Sequence, residues 1–359
     1  MNEFGVYIHI PFCAAKCDYC AFATWTDRHH LADAYLAALH TDISWAIDGG
    51  LPKATTVFVG GGTPTQVDPG TLGGVIAAIP RTADAEVTVE CNPDDVDTEL
   101  LATYRAAGVN RVSLGVQSMS PHVLATLGRT HDPDNVAAAV AALRSVDMPS
   151  FNLDLIYGSV GETVDDWART VDAALALDPP HVSAYGLTVE PGTPLALSPD
   201  RYPDDDDQAD KYELTDDRLV AAGLANYEVS NWARPGHESR HNRLYWAQDD
   251  YRGFGCAAHS HEAGRRWWNV RTPDRYIDLV ERGGSTVAAD ELLDDATRSV
   301  EGRQLALRTR DGVEAAAFDR ADLDDLVGDG LVERVTPTRV ALTRRGRLLA
   351  NEVAVRVIE

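Results

Sequence analysis

Cysteines stand at positions 13, 17 and 20, in Cys13-Ala14-Ala15-Lys16-Cys17-Asp18-Tyr19-Cys20, directly after the apolar run Val6-Tyr7-Ile8-His9-Ile10 and Pro11-Phe12. Three thiolates this close together can share one metal centre. An iron–sulfur cluster held by four cysteines is closed and passes electrons, whereas one held by three leaves an iron free to bind a ligand. The other two cysteines, Cys91 and Cys256, lie far away in sequence. That distribution is not the even-numbered, dispersed framework of a small disulfide-linked secreted chain. Two alternatives stay open on these residues alone: a Cys3His zinc site completed by His9, and three unrelated buried thiols.

Further residues able to do chemistry recur along the chain. Gly60-Gly61-Gly62-Thr63-Pro64 follows an apolar run. Glycine lets backbone approach a ligand closely, and its N–H groups can bind a carboxylate or phosphate. The stretch has neither the Lys-Ser/Thr of a P-loop nor the Gly-x-Gly-x-x-Gly spacing of a dinucleotide fold. Glu90-Cys91-Asn92-Pro93 and Gln117-Ser118 end similar apolar runs, and Asp154 lies on another, before Tyr157-Gly158. Cys256, near His259 and His261, reads as a buried thiol. The acidic run from Asp204 to Asp207 reads as a helix N-terminus, where negative charge suits the helix dipole.

Short runs rich in Val, Ile, Leu and Tyr at 5–10, 55–59, 86–91, 110–116, 150–156 and 181–187 predict strands. Helical patterns lie between them, near 29–47, 69–79, 97–107, 120–127, 133–146 and 162–177. This alternation argues for parallel βα units with right-handed crossovers, and six such units suit a barrel or an open part-barrel, with a doubly wound sheet as the alternative. In either architecture the site lies at the C-terminal ends of the strands. The cysteines, the glycines, Glu90 and Gln117 fall there, with Asp154 on the fifth strand. Past 200 a helix over 205–222 and a strand over 226–232 are expected, then a region at 237–270 rich in aromatics, histidine and glycine. From about 290, helices at 294–308 and 318–329 precede a strand pair at 331–334 and 338–343 and a short final helix. That order resembles a small winged-helix unit.

The 359 residues carry a net charge of −24 and only three lysines, Lys16, Lys53 and Lys211. So acidic a chain repels phosphate backbones, which argues against nucleic acid as a partner. No run approaches the roughly 20 apolar residues of a membrane span. The first residues lack a basic segment followed by an apolar one, so no signal peptide is expected. A cytoplasmic location follows as the expectation, since thiols stay reduced there.

The Cys-x3-Cys-x2-Cys spacing, with the aromatic Tyr19 before the last cysteine, together with the glycine run, resembles the radical S-adenosylmethionine superfamily. The resemblance implies a [4Fe-4S] cluster on Cys13, Cys17 and Cys20. S-adenosylmethionine would chelate its fourth iron, and one electron from the cluster would break the S–C5′ bond to give a 5′-deoxyadenosyl radical. Within that superfamily the chain is similar to the oxygen-independent coproporphyrinogen III oxidase family and to its relatives, the HemW-type haem chaperones. The matching stretches are Tyr7-Ile8-His9-Ile10-Pro11-Phe12-Cys13, Gly60 to Thr65, Glu90 to Pro93, Ser113-Leu114-Gly115-Val116-Gln117-Ser118, Gly128-Arg129 and Asn152 to Gly158.

The resemblance further implies that Tyr7, Gly61, Gly62, Thr63, Glu90, Gln117, Arg129 and Asp154 contact S-adenosylmethionine, with Tyr19 on its adenine side. Position 22 is Phe22, where the oxidase type has a further cysteine, and Cys13 comes early where the oxidase type has a longer leader. His241-Asn242-Arg243-Leu244-Tyr245-Trp246 matches the His-Asn-x-x-Tyr-Trp motif of the chaperone type. Haem binding by His241, Asn242, Tyr245 and Trp246 is therefore expected, with His241 as axial ligand. The implied partners are an electron donor and haem-accepting proteins, membrane respiratory enzymes among them. The coproporphyrinogen oxidase, or a radical enzyme on another substrate, is the alternative. The expected organisation is an α/β part-barrel of the (β/α)6 radical type over 1–200, completion of the barrel with the haem motif over 201–289, and a winged-helix-like unit over 290–359.

Overall fold

The computed structural model describes residues 3–358. Six strands, β1 (Phe4–Ile10), β2 (Ala54–Gly61), β3 (Arg81–Cys91), β4 (Arg111–Gln117), β5 (Ser150–Tyr157) and β6 (His181–Gly186), pair in parallel and in sequence order. Between them run α1 (Ala32–Asp48), α2 (Pro69–Ala78), α3 (Thr98–Ala106), α4 (Pro121–Thr126), α5 (Pro133–Ser145) and α6 (Val164–Ala176). Each lies within a few residues of its expected place. Local chemistry explains the starts. Asp68, Asp97 and Asp132 accept backbone N–H bonds as N-caps, Thr163 and Asp166 form a capping box, and α2, α4 and α5 begin with proline. A strand order that never reverses is the order of a barrel-type winding; a doubly wound sheet would reverse at a switch point.

The strands carry two different faces. Val6, Ile8, Ile10, Val57, Val59, Val87, Val89, Val112, Leu114, Leu153, Leu155 and Val182 are fully buried in one apolar cluster with helix residues such as Leu36, Leu72, Leu101, Val140 and Trp167. The alternate positions form the other face. Cross-strand register aligns Tyr7 with Phe58, Phe58 with Thr88, Glu90 with Ser113, Ser113 with Asn152 and Asn152 with His181. Polar groups therefore lie in rows on that face.

The second part of the chain extends this sheet at both edges. After α7 (Asp205–Ala221), the stretch expected as one strand over 226–232 is a hairpin, β7 (Ala225–Glu228) and β8 (Asn231–Ala233), with β8 antiparallel to β6. The buried Glu228 carboxylate accepts from Asn231 and from the Ser230 N–H, which holds the reversal. Then follow α8 (Arg240–Trp246), β9 (Asp250–Phe254), β10 (His259–Glu262), β11 (Arg265–Asn269), α9 (Pro273–Glu281) and β12 (Val287–Leu292). Strand β9 pairs in parallel with β1, so the twelve-stranded order is β12-β11-β10-β9-β1-β2-β3-β4-β5-β6-β8-β7, and the sheet stays open. Ala263 and Gly264, both at positive φ, make the two-residue turn between β10 and β11. The run from Asp204 to Asp207 does begin a helix: Asp204 caps α7.

The last part comprises α10 (Asp295–Ala306), β13 (Val313–Glu314), α11 (Arg320–Gly328), β14 (Val332–Arg334), β15 (Arg339–Leu342), α12 (Arg344–Leu348) and α13 (Ala350–Ala354). Its strands form a separate sheet, β13-β15-β14. Its apolar side chains, among them Leu307, Phe318, Leu326, Val340 and Val353, form a cluster of their own. It is tied to the main body by Arg344 and Arg347, which pair with Asp216. Among the described residues no helix is long and apolar enough to cross a membrane.

One of the three lysines is wholly buried. Lys211 Nζ lies 3.1 Å from Glu162 Oε2 and 2.6 Å from Asp207 Oδ2, and it donates to the Glu162 carbonyl at 2.8 Å. Removing one member of a buried pair leaves the other charge without compensation, at about 3–5 kcal/mol. Lys211→Met is expected to lower the unfolding free energy, measured by urea denaturation, by that amount. An unfolding free energy within about 1 kcal/mol of the parent would show that the pair does not contribute to stability.

Candidate functional site

The cysteine loop leaves β1 and is held at both ends. Trp25 N–H donates to the Pro11 carbonyl at 2.8 Å, and Cys13 N–H donates to the Trp25 carbonyl at 3.1 Å. Asp18 pairs with Arg201 at 3.0 Å, and its carbonyl accepts from Leu195 N–H. All three cysteines are half-buried and none is in a disulfide. The Thr63 hydroxyl lies 3.7 Å from Cys13 Sγ, and Arg129 Nη1 lies 3.8 Å from Cys17 Sγ. Burial pushes the Cys13 and Cys20 thiols above their ordinary pKa. His9 is not a fourth zinc ligand. Its Nδ1 is bonded to the Tyr7 hydroxyl at 3.0 Å and its Nε2 to the Ala23 carbonyl at 2.9 Å. Among the described residues, no three His, Cys, Asp or Glu side chains are grouped as ligands of a single ion. Cys91 and Cys256 are buried elsewhere, Cys256 beside the Tyr35 hydroxyl.

The three glycines are required by packing. A Cβ on Gly60 would come 2.5 Å from Glu90 Oε2, on Gly61 2.2 Å from His9 Nδ1, and on Gly62 2.7 Å from the Ile10 and Phe12 carbonyl oxygens. Gly61 also has φ +105°, a conformation side chains disfavour. The N–H groups expected to receive a ligand anion are already used. Gly61 donates to Glu90 Oε2 at 3.0 Å, Gly62 to the Ile10 carbonyl at 2.7 Å, and Thr63 to the Phe12 carbonyl at 2.8 Å.

Across the polar face, Glu90 and Asp154 are both half-buried. Burial, then repulsion from Asp154, pushes Glu90 up to about 7. Burial also raises Asp154, opposed by bonds from Ser113, Ser183 and Asn152 and by the charge of Arg111. Gln117, at the end of β4, has φ +60°, an uncommon conformation for a non-glycine residue. Arg129 donates to Asn92 Oδ1 at 2.8 Å, to the Gly115 carbonyl at 2.9 Å and to His131 Nδ1 at 3.3 Å. Tyr19 packs beside the small apolar cluster of Val123, Leu127, Ile156, Leu187 and Leu195.

Helix α8 divides its motif among three places. His241 is buried, with Nδ1 2.8 Å from Thr56 Oγ1, Nε2 2.8 Å from the Tyr245 hydroxyl, and its ring stacked on Phe58. Burial and the charge of Arg111 lower its pKa to about 3. In this arrangement the residue expected as haem ligand offers no free nitrogen. Tyr245 continues past it to meet Tyr251 edge-on. Trp246 lies instead under Arg308, and Asn242 is engaged through its backbone N–H by Ser239. Beside Tyr245 opens a cleft of about 610 Å³, bounded by Tyr7, Phe22, Tyr251, Trp268, His259 and Arg271. Sequence reasoning assigned no role to Tyr251, Trp268, Arg271, Asn152, Ser113 or Arg111. The period-2 alternation of the strands would have flagged Ser113 and Asn152.

An open parallel part-barrel with a three-cysteine loop after its first strand is the arrangement of the radical S-adenosylmethionine superfamily, whose model, "Radical SAM superfamily", matches residues 7–174. The "Heme chaperone HemW" of Mycobacterium tuberculosis H37Rv is 43% identical over 369 residues, covering 98% of this chain and 94% of that protein. That of Bacillus subtilis 168 is 34% identical, covering 97% of each. This chain belongs to the heme chaperone HemW family. The structure of the Escherichia coli coproporphyrinogen III oxidase HemN, a radical SAM enzyme, superposes with a TM-score of 0.86 at 24% identity, over 99% of this chain and 89% of that one, so the two share a fold.

A carboxyl whose folded pKa exceeds its unfolded one holds a proton in the folded state alone between the two values. Stability from Glu90 in cofactor-free protein is therefore full below its ordinary 4.5 and is lost as pH rises to about 7, by roughly 3 kcal/mol. Glu90→Gln keeps an acceptor for the Gly61 N–H and is expected to flatten that part of the stability–pH curve. Parallel curves for variant and parent in urea would refute the assignment.

Proposed function

We propose that this protein is a haem chaperone, which binds haem and delivers it to haem-requiring proteins, membrane respiratory enzymes among them. The similarity to heme chaperones along nearly the whole chain carries this reading. The aromatic cleft beside the cysteine loop supports it, because ring faces and one rim cation suit an amphipathic, dianionic macrocycle.

Cys13, Cys17 and Cys20 would hold a [4Fe-4S] cluster. Three thiols on one pinned loop, with a hydroxyl and a guanidinium beside two of the sulfurs, suit a thiolate-bound iron centre. When bound, the cluster and S-adenosylmethionine supply one-electron reductive cleavage of a sulfonium, given an electron donor. The chain's own residues would place that ligand. Arg129, fixed by Asn92 and the Gly115 carbonyl, would pair with the carboxylate. Glu90, Asp154 and the carbonyls of Gly61 and Gly62 would accept from its ammonium and ribose hydroxyls. Tyr7, Thr63 and Gln117 would line it, with Tyr19 at the adenine. Of the α8 motif, Tyr245 is the member that reaches the cleft, while His241 holds its hydroxyl.

Anaerobically purified protein is expected to contain iron and sulfide, and Cys17→Ala to lose both together with cleavage of S-adenosylmethionine. Haem titration followed by difference absorbance should show a saturable Soret shift. Colourless, iron-free parent protein, or robust anaerobic decarboxylation of coproporphyrinogen III, would overturn the reading.

A further inference from the structure

We propose that His259, rather than the histidine of α8, is the protein ligand to haem iron, with the porphyrin lying in the cleft between the cysteine loop and the β10–β11 hairpin and a propionate on Arg271. This inference rests on the haem-chaperone reading and assigns its cargo to particular atoms.

The histidines around the cleft differ in what their nitrogens are doing. His9 lines it, but is buried with both ring nitrogens bonded. His241 lies behind Tyr245, also buried and doubly bonded. His259 lines the cleft and is exposed. Among the described residues neither of its ring nitrogens has a hydrogen-bond partner. An iron atom needs one lone pair on an imidazole nitrogen, and His259 alone of the three offers it without breaking a bond. The pairing of β10 with β11 sets the ring. His259 stands opposite Trp268, and the two rings stack at 5.6 Å and 25°. Stacking occupies a face of the imidazole and leaves the nitrogens at its edge free.

The surroundings match a porphyrin. Tyr245, Tyr251 and Trp268 supply ring faces or edges on one side. Phe22, two residues after Cys20, is 63% exposed at the rim, an apolar side chain with water on most of its surface. Arg271 is exposed and makes no ion pair among the described residues. In a chain of net charge −24 it is the one cationic side chain lining this cleft, and a propionate is its natural partner. Cargo has to leave, and a ligand on an exposed hairpin can be exchanged for an acceptor's ligand more readily than one sealed beneath a sheet. The cleft also includes Tyr7 and Ala21 to Ala23, which places the macrocycle against the cysteine loop.

The experiment is titration of haemin into anaerobically purified full-length protein, read by difference absorbance and by electron paramagnetic resonance of the ferric haem. The parent should bind one haemin with a nitrogen-ligated signature. His259→Gly should weaken binding at least tenfold and lose that signature, and added imidazole should restore it. Arg271→Ala should weaken binding several-fold with the Soret position unchanged. His241→Gln should keep the parent signature. If His259→Gly binds haemin with the parent's spectrum and affinity, or if imidazole restores nothing, the assignment to His259 is wrong while haem binding itself stands. If the parent binds no haemin, the chaperone reading fails first, and this inference with it.

Discussion

The site depends on a short continuation of the β1–β2 ladder beyond the end of β1. Gly62 donates to the Ile10 carbonyl and Thr63 to the Phe12 carbonyl, so the chain entering the cysteine loop is still hydrogen-bonded to its neighbour. That continuation brings the Thr63 hydroxyl to Cys13 Sγ. It is possible because residues 60–62 have no side chains: the spaces a Cβ would take are filled by Glu90, His9 and the backbone of β1. Gly61 then uses its own N–H to hold Glu90. Cysteine loop, glycine strip and half-buried acid are one packed unit, and moving any of them moves the rest.

Behind that unit, the polar face of the sheet is a connected network. Asn152 donates to Asp154, Ser113 and Ser183, and its carbonyl oxygen is bonded to His181. His181 is bonded in turn to the Tyr227 hydroxyl, which accepts from the N–H of Ser239, the cap of α8. Glu86 on β3 accepts from the N–H groups of Arg240 and His241 at the same helix start. Helix α8 is thus docked by strands of the barrel, and Gly5 leaves room for it, since a Cβ there would stand 3.3 Å from His241 Cε1. This docking accounts for the burial of His241. The imidazole closes the interior of the sheet beneath Tyr245, where a satisfied polar group is needed.

Much of this was legible in residue order. All six parallel strands and their helices lie where periodicity places them, because alternating burial and helix caps are local properties. The acid run at 204–207 and the buried state of Cys256 follow from the same kind of argument. The hairpin at β7 and β8 was not legible as two strands, since Glu228, whose buried carboxylate holds the turn, reads as an ordinary polar residue in a strand. Strands β9 to β12 were also missed. They are short, and β9, which joins the group to the sheet, pairs with β1 about 240 residues earlier, so nothing nearby in the chain marks that edge.

The order of residues was enough to mark the cysteine loop as a candidate metal centre. The spacing of three cysteines is covalent, and whatever the fold, they can reach one centre. It was enough as well to show the βα winding and the strand-end placement of Glu90 and Gln117, with Asp154 within β5. Which histidine keeps a free nitrogen, and which aromatic rings face a common cleft, depended on folding in space. Thr56 and Tyr245 consume the nitrogens of His241, and the pairing of β9 with β1 sets β10 and β11 beside the cysteine loop. Hydrogen-bond partners drawn from distant strands decide whether a donor atom is available, and such partners have no signature in the chain's local pattern.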